Sequence, residues 1–369
     1  MTADVYRTSA RLADDREIIF FDEEPAERHV DDPRDLEPRA TSAQLRLDPL
    51  TRSWTAVAAH RLARTFKPPT DQCPLCPSVD GRHTEVPAAD YDVVVFENRF
   101  PSFATDATGP TTAEPFVERP GRGRCEVICF TSDHDASFVD LEPARVRTVL
   151  RALADRTAEL SAQPGVEYVY CFENRGEEIG VTLLHPHGQI YAMPLVPPRM
   201  ASLTETARAH RRETGRCAQC DTLDAELADG RRIVAATEHW VVYVPFAARW
   251  PYELRVVPRR HLPDLTALAA AELDELGEVY LDAVRRIDSL DAGPVPYIAG
   301  WQQAPVGSGR GDWHLAAEVF TLRRAPGRLK YLAGIESGAG LWINDVTPEA
   351  SAERLRRGSS ELSLDPPST

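Results

Sequence analysis

At 369 residues, with 43% hydrophobic and 27% charged side chains, the chain is long enough for a full core and two domains. A formal net charge of -15 excludes broad nucleic-acid binding through phosphates, though not a small nucleotide held in a local basic pocket. No run of about 18 apolar residues occurs, and the N-terminus lacks a charged-then-apolar signal pattern, so a cytoplasmic protein without a membrane partner is expected.

In chain order, Glu17–Asp22 alternates as a short strand and is followed by an acidic, Pro-containing irregular arm. Leu45–Ala59 alternates around Asp48-Pro-Leu-Thr51 and predicts a hairpin. A basic stretch, His60–Lys67, leads through Pro68-Pro69 to Cys73-Pro-Leu-Cys76. Asp92–Phe96 predicts a strand running into Glu97-Asn98-Arg99-Phe100-Pro101, and residues 104–123 a loop. Glu126–Thr131 predicts a strand ending at His134. A helix opens at Asp140–Pro143 with Val146, Val149, Leu150, Leu153 and Leu160 on one face. Tyr168–Phe172 is a strand that leads to His185-Pro-His-Gly-Gln189, where alternation sends His185 and His187 to one side.

The order then recurs. Cys217-Ala-Gln-Cys220 precedes strands at 239–245 and 253–258, His261, a helix opening at Asp264-Leu265, strand Tyr297-Ile298 and His314. Glu126 to His134 and Glu253 to His261 are both eight residues apart, and Tyr168 to His185 and Tyr297 to His314 are both seventeen. The spacing predicts an internal duplication in which Ala316 stands opposite His187 and Glu318 opposite Gln189.

Each half thus offers two cysteines and two histidines: Cys73, Cys76, His134 and His185, then Cys217, Cys220, His261 and His314. Two thiolates with two imidazoles suit tetrahedral Zn²⁺, expected in the first half and with a candidate second site in the other. Redox use of the first pair is disfavoured, because it precedes a Pro-rich loop rather than opening a helix. Cys125, Cys129 and Cys171 lie in apolar alternating runs and read as inert core. With His185 on the metal, His187 is left free, and a neutral imidazole fixed in one tautomer is a nucleophile toward phosphorus. Asn174, Gln189, Thr182, the backbone near Gly180 and Gly188, and the guanidinium groups of Arg61 and Arg64 could hold phosphoryl oxygens. The glycine-rich segment Gly307–Gly311 lacks a P-loop ending and reads as a connector.

Laid out in this way, the sequence resembles the galactose-1-phosphate uridylyltransferases of the histidine triad superfamily. The resemblance rests on Phe172-Glu-Asn-Arg-Gly176 followed by HPHGQIYA, and on Cys73-Pro-Leu-Cys76, Phe96–Ser102, Ser132-Asp-His134, Trp250–Glu253 and Leu329–Glu336. It implies an α+β fold of two tandem histidine-triad-like domains, 1–195 and 196–369, each an antiparallel sheet with packed helices, in a homodimer. It further implies ping-pong transfer of uridylyl from UDP-glucose to galactose 1-phosphate through His187, with Gln189 in place of a third triad histidine. The four first-half Cys/His residues match structural zinc ligands. Arg61, Arg64, Asn174, Gly180 and Thr182 fall near the diphosphate, Asn98 fits a nucleoside contact, and Lys330 and Glu336 match residues that hold the hexose, reaching across the dimer. Some members bind iron in the second half; the matching positions here are Leu203, Gln302, Ala316 and Glu318, so no iron is expected. Ile335 stands where some members carry tyrosine. The alternatives are a related NDP-sugar nucleotidyltransferase or phosphorylase, for instance on ADP-glucose, and a zinc-stabilised nucleotide-binding protein without catalysis.

Overall fold

The computed structural model describes residues 5–358, apart from 38, 40, 64–66, 80 and 308. The first half supplies strands β1 (Tyr6–Arg11), β2 (Glu17–Asp22), β3 (Gln44–Leu47), β4 (Trp54–Val57), β5 (Val93–Glu97), β6 (Glu118–Pro120) and β7 (Arg124–Cys129). Helix α1 (Pro143–Ser161), β8 (Tyr168–Arg175) and β9 (His187–Met193) complete it. The second half begins with helices α2 (Pro198–Thr214) and α3 (Ala218–Asp229), then β10 (Ile233–Ala236), β11 (Trp240–Tyr243) and β12 (Tyr252–Pro258). Helix α4 (Ala270–Asp288), β13 (Tyr297–Gln302), β14 (Ala316–Thr321), β15 (Arg323–Ala325), β16 (Arg328–Leu329), α5 (Gly334–Ala339) and α6 (Pro348–Arg356) follow.

Eleven of these strands form one antiparallel sheet in the order β1-β2-β5-β7-β9-β8-β13-β14-β12-β11-β10. The two expected sheets are therefore fused edge to edge, with β8 and β13 paired at the centre from Arg175↔Tyr297 to Phe172↔Gly300. Outward from that seam β9 answers β14, β7 answers β12 and β5 answers β11, which displays the duplication as a pseudo-twofold arrangement. Joining the halves at β8 and β13 removes two exposed sheet edges, which would otherwise present unpaired backbone groups.

One face of the sheet is covered by α1 and α4. Proline in its first turn and apolar residues at helical spacing start and orient α1. Its Val149 and Leu153 pack in one continuous core with Leu276 and Val279 of α4, Ile128, Ile190, Val256 and Val319. Strand β5 is buried along its whole length, which suits its unbroken VVVF run. The opposite face carries the Cys/His clusters.

Four expectations are corrected. The equal gaps do not align equivalent residues. Val127 pairs with Gln189, whereas Arg255 pairs with Glu318, so Glu126 corresponds to Leu254 and not to Glu253. Glu126 turns to Arg156 of α1 on the helical face, while Glu253 lies against Arg249 and Glu318 on the other. Tyr168 and Tyr297 are displaced from each other by one position in the same way. The second helix does not open at Asp264; that residue caps a short 3₁₀ turn through Thr266 N, and α4 begins at Ala270. The loop 104–123 contains β6, which pairs with β3 beside the expected hairpin. Finally, α2, α3, α5 and α6 lie where no helix was expected.

Candidate active site

The first Cys/His set is assembled from three separate segments. Cys73 and Cys76 sit before β5, His134 follows β7, and His185 precedes β9; one ligand atom from each lies within 4.8 Å of all the others. Both histidines turn Nδ1 toward Cys76 Sγ, at 3.2 Å for His134 and 3.6 Å for His185. Zinc with ordinary Zn–S and Zn–N bonds at a tetrahedral angle would put those atoms about 3.6 Å apart. The far nitrogen of His185 meets Thr131 O at 2.9 Å and the Tyr91 hydroxyl at 2.8 Å, the outer-shell bonding that fixes the ring of a metal-binding imidazole. Burial pushes the His185 pKa down to about 4, and burial together with Cys73 pushes the Cys76 thiol up to about 12. A dication at the centre reverses the thiol shift and is favoured by a neutral imidazole, so the donor set fits zinc.

The second set repeats this geometry. Cys220 Sγ lies 3.5 Å from His261 Nδ1 and 3.3 Å from His314 Nδ1, again with all four ligand atoms within 4.8 Å. His314 Nε2 meets Pro258 O at 2.9 Å, and His261 Nε2 meets Gly311 O at 3.0 Å. The glycine-rich connector thereby positions one of the candidate ligands.

His187 stands two residues beyond His185, at the first position of β9. Its Nδ1 is 2.7 Å from His185 O, so Nδ1 carries the proton and Nε2 keeps the lone pair. Burial lowers the pKa of the ring, which favours this neutral form. Gly188 is required here, because a Cβ would lie 2.9 Å from both Phe172 O and Phe130 Cζ.

A cavity of about 130 Å³ opens on His187 and Gln189, and Arg61, Asn98 and Thr182 share its wall. Gln189 Oε1 is buried there with no hydrogen-bond partner among the described residues. Arg61 is braced by Phe100 O at 2.6 Å, and Asn98 Oδ1 accepts from Phe100 N at 2.8 Å. The wall also holds residues missed in the sequence: Phe96, Phe100, Leu75, and Glu85, the last paired with Arg16 and Arg34. Aromatic residues next to Asn98 in a segment leaving a strand were the available signal.

Not every expected residue reaches this cavity. Asn174 lies on β8 opposite Ile298, and Gly180 occupies an exposed left-handed turn with φ 84°. Arg64 lies outside the described residues. Lys330 and Glu336 pair with each other at 3.3 Å, both side chains buried, with Lys330 also bonded to Ile343 O and 6.0 Å from the Trp250 ring centre. Within one chain they are not on the cavity wall.

The fold and the Cys/His-anchored histidine strand together define a nucleotidyltransferase of the uridylyltransferase kind. A solved uridylyltransferase is similar with a TM-score of 0.75 and 31% identity, over 85% of this chain and 97% of that one. The galactose-1-phosphate uridylyltransferase of Streptomyces lividans is 44% identical over 95% of this chain and 97% of its own length; that of Thermotoga maritima is 36% identical over 86% and 99%. The N-terminal domain of the galactose-1-phosphate uridyl transferase family matches residues 33–197, and its C-terminal domain matches 204–365. The chain belongs to this family. No helix among the described residues is long and apolar enough to cross a membrane.

Proposed function

We propose that the protein transfers the uridylyl group of UDP-glucose to galactose 1-phosphate through a covalent uridylyl-histidine on His187. The observation that carries this reading is the His187 ring, held by His185 O in the tautomer with Nε2 unprotonated, at the wall of a cavity shared with Gln189 and Arg61. Nε2 attacks the α-phosphorus, and the bond to the β-phosphate oxygen breaks with glucose 1-phosphate leaving. A phosphate oxygen of galactose 1-phosphate then attacks the same phosphorus, and the P–N bond breaks. The Gln189 amide holds the non-bridging oxygens and has no acidic proton to give to water or a leaving group, which favours transfer over hydrolysis. Arg61 and Thr182 on the cavity wall serve the diphosphate and Asn98 the nucleoside; Arg64, Asn174 and Gly180 are given the diphosphate on the family resemblance alone.

Zinc on Cys73, Cys76, His134 and His185 locks the loop before β9, so the neighbouring His187 has little freedom to turn. A second zinc on Cys217, Cys220, His261 and His314 ties the start of α3 to the ends of β12 and β14 in the sheet. The halves 1–195 and 196–369 are the two domains, the first reactive and the second with alanine at the nucleophile's place. The working unit is a cytoplasmic homodimer, in which the segment carrying Lys330 and Glu336 serves the hexose of the other copy. That segment exposes Tyr331, Leu341 and Ile343, apolar surface that favours association.

The test is a half-reaction with UDP-glucose labelled on the α-phosphorus. The label is expected on His187, stable in alkali and labile in acid; a protein that stays unlabelled, or label on another residue, overturns the assignment.

A further inference from the structure

The second half has a half-open cavity of its own, about 210 Å³, on the same sheet face as the His187 cavity. Strand register makes it the counterpart of that cavity. Arg255 falls where the first half has Val127, and Cys217-Ala-Gln-Cys220 replaces Cys73-Pro-Leu-Cys76; each of these segments lines the cavity of its own half, and Gln302 stands at the place of Asn174. Leu203, Thr206 and Ala207 of α2 form its lid, and Arg255 and Gln302 line it from the sheet.

The polar groups around this cavity are matched unevenly. Thr206 and Thr222 donate their hydroxyls to Ser202 O and Ala218 O. Asp312, the acidic group on the wall, is paired with Arg211 at 3.0 Å. Gln219 accepts from Arg255 Nη1 at 3.3 Å and donates to the Tyr243 hydroxyl at 2.8 Å. Among the described residues, two buried donor atoms have no acceptor: Arg255 Nε, on a guanidinium that otherwise reaches Gln219 and the Tyr243 hydroxyl, and Gln302 Nε2, on a residue only 3% exposed. An amide N–H and a guanidinium N–H left unpaired beside this half-open cavity are unfavourable unless something in it accepts from them. The first turn of α3, whose leading N–H groups have no partner within the helix, forms part of the same wall.

We propose that this cavity is a second, non-reactive ligand site that takes a small oxyanion, the phosphate of a phosphate monoester or free inorganic phosphate. Arg255 and Gln302 supply the donors, and α2 is the lid that the bound anion holds against the sheet. With alanine at 316 no nucleophile stands at the counterpart of His187, so the occupant is held and not consumed. The inference rests on this cavity alone and not on the reaction assigned to His187.

Calorimetric titration of the full chain with inorganic phosphate, and separately with glucose 1-phosphate, tests it. Arg255→Met removes the guanidinium, and Leu203→Trp fills the cavity from its lid without altering a polar group. One site is expected to weaken at least tenfold in each variant. Glucose 1-phosphate binding there more tightly than phosphate identifies the ester as the source; equal affinities identify the free anion. Binding that survives both variants unchanged overturns the proposal. A crystal structure of the unaltered protein grown in high phosphate provides the check that needs no variant: an anion on Arg255 and Gln302 supports the site, and water alone overturns it.

Discussion

Arg199 grips Glu318 through both terminal guanidinium nitrogens, at 2.6 and 2.7 Å, at the position where the first half carries Gln189. Arg249 adds a third contact to the same carboxylate at 2.9 Å. Burial opposes the charge on Glu318, but the two guanidinium groups prevail and hold its pKa down at about 2. The place occupied in the first half by the proposed phosphoryl-holding amide is filled in the second by an ion pair that pins α2 to the sheet.

Arg199→Met is therefore expected to lower stability by about 2 kcal/mol, since Glu318 stays buried and keeps only Arg249. A chemical denaturation curve reads this directly. Because the Glu318 pKa lies below its unfolded value, the contribution is present above about pH 4.5 and is lost as pH falls toward 2. The deficit of the variant should shrink over that acid range.

Glu173 titrates in the opposite sense. Burial, opposed by the Tyr297 hydroxyl at 2.8 Å, raises its pKa to about 8, and its Oε2 has no partner among the described residues. The unfolded state releases this proton first, so stability should fall as pH rises from about 4.5 to about 8. Glu173→Gln keeps the shape and removes the charge. It is expected to flatten that slope and to be the more stable form at pH 8, by roughly 2–4 kcal/mol; thermal melts at pH 5 and pH 8 measure the difference.

Metal analysis should find two zinc ions per chain. Cys76→Ser and Cys220→Ser are each expected to remove one and to lower the melting temperature. Only Cys76→Ser should also abolish activity, because its cluster adjoins His187 while the other adjoins alanine. Equal loss of activity in both would contradict the division of labour between the halves.

His187→Ala is expected to reduce turnover by at least about 10⁴-fold with an unchanged melting temperature, as for loss of a nucleophile. Gln189→Ala should cost about 10²-fold in kcat, the usual effect of deleting one oxyanion donor, and leave the uridylylated intermediate detectable. Rapid-quench kinetics separate the two outcomes.

Local pattern was enough for much of this molecule. The 3.6-residue spacing of Val146, Val149, Leu150 and Leu153 specified α1, because a helix face is set by residues three and four apart. The CxxC pairs and spaced histidines specified two ligand sets, because few other uses bring that donor chemistry together. The HPHGQ strand marked His187 without any knowledge of its surroundings.

What the tertiary structure decided was non-local. A strand's partner and register are fixed by the neighbour it meets and by the loops that close, so equal gaps in sequence placed Glu126 opposite Glu253 although the two face opposite sides of the sheet. Fusion through β8 and β13 depends on two edges whose sequences do not name each other. Helix α2 buries only Met200 and Thr204 along its length and is held by the Arg199–Glu318 and Arg211–Asp312 pairs and the packing of Met200 and Leu203, so its sequence carried no apolar stripe to reveal it. Pro198 at its start and Gly215 at its end were the local signs, and they mark boundaries without saying what the helix covers. Lys330 pairs with Glu336 six residues away rather than standing at the His187 cavity, and only the folding of the segment between them determines that.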